Sequence, residues 1–280
     1  MTKPIDLHVH TTASDGTYSP SAVVRLACES GLSAVAITDH DTVDGVDEAL
    51  KASANYDIEV VPGVEISVGN TDDVHIIGLF VDKNEEHFSS VMESLRKMRI
   101  QRNKELVSNL QKMGIDVTYE AIVRDMKADN VGRLHFAQYM QQIGVVNDYR
   151  KAFKKYLVPG AKTYVPINHI SERDGIEAII RSGGLPILAH INYLKMPDYM
   201  VENKVRKLKE YGLAGIETMY SGYNEKNEKL ANKLCEKYSL LKSGGTDFHG
   251  ARRRGVYLGK GRGNLCVPYE FLVNIKQKLG

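Results

Sequence analysis

Residues 5–16 read IDLHVHTTASDG. An extended segment alternates its side chains between two faces, so His8 and His10 project one way while Ile5, Leu7 and Val9 project the other. The two histidine Cα atoms then stand about 7 Å apart, close enough for both imidazoles to converge on one ion. Asp15 follows five residues after His10. Taken alone, such a pair fits a half-buried strand with polar residues facing solvent. The remainder of the chain decides between the two readings.

Outward from this stretch, strands and helices alternate. Ser19-Pro20 opens a helix, with Ser as N-cap and Pro in the first turn, and Gly31 ends it. SAVAITDH (33–40) is an apolar run of the kind buried on both faces of a sheet. A helix over 44–54 precedes two strands, 58–69 and 73–81, joined by the polar turn NTDD. After residue 170 the order is helix (171–183), strand (185–191), helix (198–212), strand (213–220), helix (225–239), strand (240–249) and a last helix over 268–280. This pattern predicts an α/β protein with a largely parallel sheet and crossover helices. The number of units favours barrel-like closure over an open sheet. Between residues 85 and 162 only helices are legible, which predicts a barrel over 1–84 and 163–280 interrupted by a helical cap over 85–162.

Composition narrows the class. At 280 residues, with 42% hydrophobic and 26% charged residues, the chain can fill one large core. A net charge of +2 is too small for a nucleic-acid coat or a membrane-surface protein. Cys28, Cys235 and Cys266 show no CxxC spacing, which excludes a disulfide framework and a Cys-based zinc site. No leader-like segment opens the chain and no apolar run approaches membrane length. The expectation is a cytoplasmic enzyme; the sequence specifies no oligomeric state.

Barrel enzymes carry their chemistry where strands end and loops begin. The first strand end supplies His8 and His10, with Asp15 in the loop. The second, TDHD, supplies His40 between Asp39 and Asp41, which read as turn or capping residues. The third strand holds Glu65, the fourth His75, and the fifth ends in His190. The final strand ends in GGTDFHG, placing Asp247 and His249 on one face. His75 or His190 singly would pass for a core histidine bonded to a carbonyl. As a set, unpaired acids and imidazoles are too costly inside a packed barrel to be incidental. Neutral imidazole with carboxylate suits zinc, manganese or iron, and the two oxygens of Glu65 make it a natural bridge.

The ordered motifs DLHVHT with Asp15, TDHD, PGVEIS, VHIIGL, LAHI and GGTDFHG resemble those of the PHP (polymerase and histidinol phosphatase) family over almost the whole chain. The resemblance implies a distorted seven-stranded (β/α)7 barrel that binds two or three divalent ions, manganese first and iron or zinc as alternatives, and hydrolyses phosphoesters. It implies one ion held by His8, His10, Glu65 and Asp247, a second by Glu65, His75 and His190, and a third by Asp15, His40 and His249. RIQRNK, GRLHFAQYM and AFKKYLVPGAKTYVP resemble the helical cap of a subgroup acting on nucleotides. That subgroup removes the 3′-phosphate of 3′,5′-bisphosphonucleotides, and some members trim short oligonucleotides from the 5′ end. It usually has proline after the histidine aligned with His190 and before that aligned with His135. Here Ile191 and Leu134 stand there, which leaves the outline of the substrate pocket open.

A phosphorylated substrate also needs fixed positive charge. Arg99 and Arg102 lie three apart on one helix face. Arg133 and His135 sit at the start of GRLHFAQYM, where a helix N-terminus favours anions. Catalytic roles are expected of Glu65, His249 and Arg133. ARRRG directly after His249 offers charge at the rim of the site, but Arg252 to Arg254 read first as a solvated loop, and His87 and His169 carry no motif. The expected partners are a small nucleotide or short oligonucleotide and phosphate, with no membrane and no long nucleic acid. Competing readings are a histidinol-phosphate or phosphotyrosine phosphatase of the same family, a carbon–nitrogen hydrolase whose barrel also opens with HxH, and a non-catalytic metal- or nucleic-acid-binding module.

Overall fold

The computed structural model describes residues 4–69, 74–126, 130–166 and 169–280; the polar turn expected over 70–73 lies outside them. Strand β1 (Pro4–Asp6) leads to helix α1 (Pro20–Glu29). Ser19 Oγ accepts from Ala22 N at 3.2 Å, and Pro20 occupies the first helical position. Then come β2 (Ala34–Ile37), α2 (Val46–Ser53), β3 (Glu59–Ser67) and β4 (His75–Leu79). Four helices follow: α3 (Glu86–Lys112), α4 (Tyr119–Met126), α5 (Arg133–Gln142) and α6 (Tyr149–Tyr156). The alternation resumes with α7 (Glu172–Arg181), β5 (Leu185–Leu188), α8 (Asp198–Glu210), β6 (Gly215–Tyr220), α9 (Glu225–Tyr238) and β7 (Leu241–Gly245). Strand β8 (Val267–Pro268) and α10 (Tyr269–Leu279) complete the chain.

The strands run in the order β7-β6-β5-β4-β3-β2-β1-β8. Neighbours are parallel except β4, antiparallel to both β3 and β5, and β8, antiparallel to β1. The seven strands expected are present, and β8 adds an eighth. Its two residues, one of them proline, are too few to show a period in sequence. The reversal of β4 has a functional consequence. His75 begins that strand, so it emerges at the same barrel end as residues that follow the parallel strands.

The ring is drawn together beyond the regular ladders. Leu7 N donates to Gly244 O (3.1 Å), Asp247 N to His8 O (2.8 Å) and His10 N to Phe248 O (2.9 Å). Such proximity requires glycine on β7. A Cβ on Gly245 would lie 2.4 Å from the Cβ of His8. The Asp6 carboxylate ties the same junction from below, accepting from Thr246 N (2.8 Å) and Gly259 N (2.9 Å).

Apolar packing follows the two periods. Ile5, Leu7, Ala36, Ile77 and Ile187 pack with Leu272 and Ile275 of α10 in one cluster. Val9, Val35 and Ile37 meet α1 and α2 in another. A third cluster draws its buried residues only from the stretch between Leu106 and Leu157. Helix α3 spans both worlds: Phe88, Met92 and Leu95 pack into the cluster shared with β3, β4 and α7, while Leu106, Val107 and Leu110 belong to the helical one.

Candidate metal centre

All nine acid and histidine side chains singled out from the strand ends meet at one end of the barrel. Glu65 lies at the centre. Its Oε1 is 2.9 Å from His75 Nδ1 and 2.9 Å from His190 Nε2. Its Oε2 is 3.0 Å from His40 Nδ1, 3.2 Å from His10 Nε2 and 3.4 Å from His8 Nε2. Asp247 Oδ1 stands 3.3 Å from both His10 Nε2 and His249 Nδ1. Asp15 Oδ1 lies 3.1 Å from His249 Nε2. Four subsets bring their donor atoms within 4.8 Å of one another: His10, Asp15, His40 and His249; His8, His10 and Glu65; His8, His190 and Asp247; and His40, Glu65 and His75.

Local backbone serves this convergence. Asp247 (φ 56°) and His190 (φ 21°) both hold positive φ, which costs a non-glycine residue about 1–3 kcal/mol and persists where surroundings enforce it. Asp39 shapes the Asp15 loop, accepting from Thr11 N (2.7 Å) and Ser14 Oγ (2.5 Å). Asp41 accepts from Ser67 N (2.9 Å) and from Arg99. These acids are therefore the turn and bracing residues that TDHD suggests.

The donor chemistry fits a divalent cation. His8 Nδ1 faces Glu217 Oε1 at 2.9 Å, so a neutral His8 ring carries its proton there and turns a lone pair from Nε2 toward the cluster. That lone pair meets His10 Nε2 at 3.2 Å and two carboxylate oxygens. Among the described residues, Glu65 Oε2, His10 Nδ1 and His190 Nδ1 are buried with no hydrogen bond. Acceptors converging in a buried space call for a positive charge between them.

Without an ion, protons supply that charge. Burial opposes ionisation of Asp15, Glu65 and Asp247, yet the surrounding imidazoles hold all three well below the usual carboxylate range. Burial likewise opposes charging of His40, but the Glu65 and Asp15 carboxylates outweigh it and raise its pKa to about 10. His8 and His249 are also raised by their carboxylate neighbours against burial. In His190 burial prevails and the pKa falls.

Two cavities adjoin the cluster. One, of about 430 Å³, is lined by Asp15, Glu65, His190, Asp247 and His249, with Leu134 and Phe153 on its helical side. The other, of about 270 Å³, is lined by Arg99, Arg102 and Arg133 with Ser67 and His169, and it shares Asp15, His40, His75, Leu134 and Phe153 with the first. Arg102 is buried, and the Arg133 guanidinium lies 5.7 Å from the centre of the Phe153 ring. His135 is buried behind this wall. Its Nδ1 accepts from Gly132 N at 2.9 Å and so caps the start of α5. Burial, reinforced by the Arg252 charge, pushes its pKa down to about 4.

Arg252 and Arg253 correct the expectation of a solvated loop. Both line the larger cavity. Arg252 Nη1 donates to Asp15 O at 2.5 Å. Arg253 donates to the Asp247 carboxylate, to Tyr193 Oη (2.9 Å) and to Tyr220 Oη (2.7 Å). Their signal was masked because ARRRG has no period that separates inward from outward residues. His169 was missed for the same reason. Glu217 did carry a signal: a lone acid inside the apolar strand LAGIETMY is a charge that burial must explain. At the two departures from proline, Ile191 N donates to Tyr223 Oη (2.8 Å), a bond proline lacks, and Leu134 lines both cavities.

Comparisons with known proteins identify the family. The PHP domain matches residues 6–168, more than half of the chain. The chain is 34% identical over 250 residues to a 5′-3′ exoribonuclease of Haemophilus influenzae, covering 89% of this chain and 91% of that protein. It is 31% identical over 259 residues to a 3′,5′-nucleoside bisphosphate phosphatase of Chromobacterium violaceum, covering 91% and 90%. A crystal structure described as a metal-dependent phosphoesterase of Bifidobacterium adolescentis superimposes with a TM-score of 0.87 at 28% identity, covering 99% of this chain and 96% of that one. The barrel end gathers convergent acids and imidazoles beside an arginine-lined cavity, and the chain belongs to the PHP domain family as a metal-dependent phosphoesterase.

Proposed function

We propose that the chain removes the 3′-phosphate of 3′,5′-bisphosphonucleotides and trims short oligonucleotides from the 5′ end. One observation carries the reading: the acid–histidine cavity adjoins a second cavity lined by three arginines. A substrate with one phosphoryl group at the reacting end and another anionic group a few ångströms away fits that pair better than a singly phosphorylated amino alcohol or tyrosine. The names of the two curated relatives support the same class.

In this reading two or three divalent ions, manganese first and iron or zinc as alternatives, are held by His8, His10, Asp15, His40, Glu65, His75, His190, Asp247 and His249. Such ions lower the pKa of water toward neutrality and neutralise charge on phosphoryl oxygens. Glu65 and His249 face the reacting phosphoryl group. Arg133, with Arg99 and Arg102, grips the second anionic group through paired N–H donors, and His135 holds the start of α5 that presents Arg133. Phe153 and Leu134 separate the two ends and exclude water between them. The helical segment over 85–162 serves as the cap that supplies this wall.

Phosphate release from a panel of 3′,5′-bisphosphonucleotides, nucleoside monophosphates, short oligonucleotides, histidinol phosphate and phosphotyrosine tests the reading. The bisphosphate should turn over fastest; a chelator should abolish release and added manganese restore it. Faster hydrolysis of histidinol phosphate than of any nucleotide would overturn the substrate assignment.

A further inference from the structure

Glu217 sits on β6, is fully buried, and lies outside the nine residues of the cluster. Its two carboxylate oxygens do different things. Oε1 lies 2.9 Å from His8 Nδ1, and Oε2 accepts from the backbone N of His190 at 2.7 Å. One side chain thus braces two ring-bearing residues that follow different strands, β1 and β5.

The close approach of β7 to His8 depends on glycine. Strand β7 pairs with β6 and meets the end of β1 through the Leu7 N to Gly244 O bond, and any side chain on Gly245 would strike His8. The backbone oxygen of Glu217 is engaged as well, accepting from Tyr223 Oη at 3.1 Å; that same hydroxyl accepts from Ile191 N. The residue next to His190 is therefore anchored to the residue that braces His8.

A buried imidazole offers a cation one nitrogen only if its proton is kept on the other. If Glu217 holds the proton of His8 on Nδ1, Nε2 is left bare toward Glu65 and Asp247. If it does not, an Nε2–H can satisfy Glu65 directly and the cation loses a donor. The second contact matters in the same way. His190 adopts φ 21° and ψ 68°, and the bond from its N–H to Glu217 Oε2 helps to hold a conformation that would otherwise relax.

We propose that Glu217 is a positioning residue of the metal centre, fixing the tautomer and rotation of His8 and the backbone of His190 so that both rings offer a lone pair to a divalent cation. The inference rests on the metal-centre reading and is independent of which phosphoester is hydrolysed. Glutamine is a revealing replacement. It has nearly the same shape, but only one acceptor oxygen for two N–H donors, so one of the two bonds must fail.

The test uses the full chain, stripped of metal by chelation and titrated calorimetrically with manganese chloride. Glu217→Gln should bind manganese about 10–100-fold more weakly than wild type. Its metal-free thermal transition should remain cooperative. A second readout does not need the variant to fold. In wild type loaded with diamagnetic zinc, nitrogen NMR of labelled histidine should show the His8 ring protonated on Nδ1. Glu217→Gln, where folded, should show that signature lost or mixed. A zinc-loaded wild type with the His8 proton on Nε2 would overturn the proposal, and so would equal manganese affinity in Glu217→Gln. A wild type that takes up neither ion would overturn the metal reading itself and this inference with it.

Discussion

Glu65 and Arg102 are both buried ions of the same site, yet the chain delivers them in different ways. The acid–histidine floor gathers residues from position 8 to position 249, each fixed by a strand end and its hydrogen bonds. The arginine wall comes from one stretch of helices, with Arg99 and Arg102 on α3 and Arg133 on α5. Moving any floor residue disturbs the barrel. The wall packs in part on a separate apolar cluster, and Arg99 ties it to the barrel through Asp41.

The largest effect should come from breaking the floor. His10→Ala and Asp247→Asn should each lower kcat/KM for phosphate release by about 10³-fold or more, with less metal bound per chain; either variant turning over within tenfold of wild type would contradict the shared role of the cluster. Breaking the wall should look different. Arg133→Ala should raise KM for a bisphosphonucleotide about 10–100-fold with little change in kcat, because a ground-state anion contact is lost equally from the transition state. A fall in kcat at constant KM would instead move Arg133 to the reacting end.

A third substitution acts on the floor through packing alone. Gly245→Ala puts a Cβ 2.4 Å from that of His8, and should cost about 1–3 kcal/mol in denaturant unfolding while weakening metal uptake. The gentlest probe is pH. In the metal-free chain His40 is raised on folding to about 10, burial being outweighed by Glu65 and Asp15. A raised histidine stabilises the fold fully below its unfolded value of about 6.5 and loses that contribution as pH rises through its folded value. The metal-free melting temperature should therefore drift down between pH 6.5 and 10. Manganese uptake should release protons and tighten over the same window.

The two regions also differ in how much of them could be read. Period-2 alternation placed His8 with His10, and the strand–helix rhythm gave the barrel; Asp247 and His249 do meet, but through a turn in which Asp247 holds φ 56°. Period-3.6 spacing made the stretch over 85–162 legible as helical and put Arg99 with Arg102. The two-residue β8 escaped because it has no period. Arg252, Arg253 and His169 escaped because loops and short turns do not encode direction. His135 shows a subtler limit: its position at a helix start was legible, but whether its ring faces an anion or caps Gly132 depends on packing that spacing does not carry.

Helix α3 makes the two apolar cores mechanically continuous. Its 27 residues form a rod about 40 Å long, gripped by barrel residues at one end and by the inserted helices at the other. No glycine or proline interrupts it to act as a pivot. The roof of the site is therefore splinted to its floor, and calorimetry should record one endotherm for the whole chain rather than an early melting of the roof by itself.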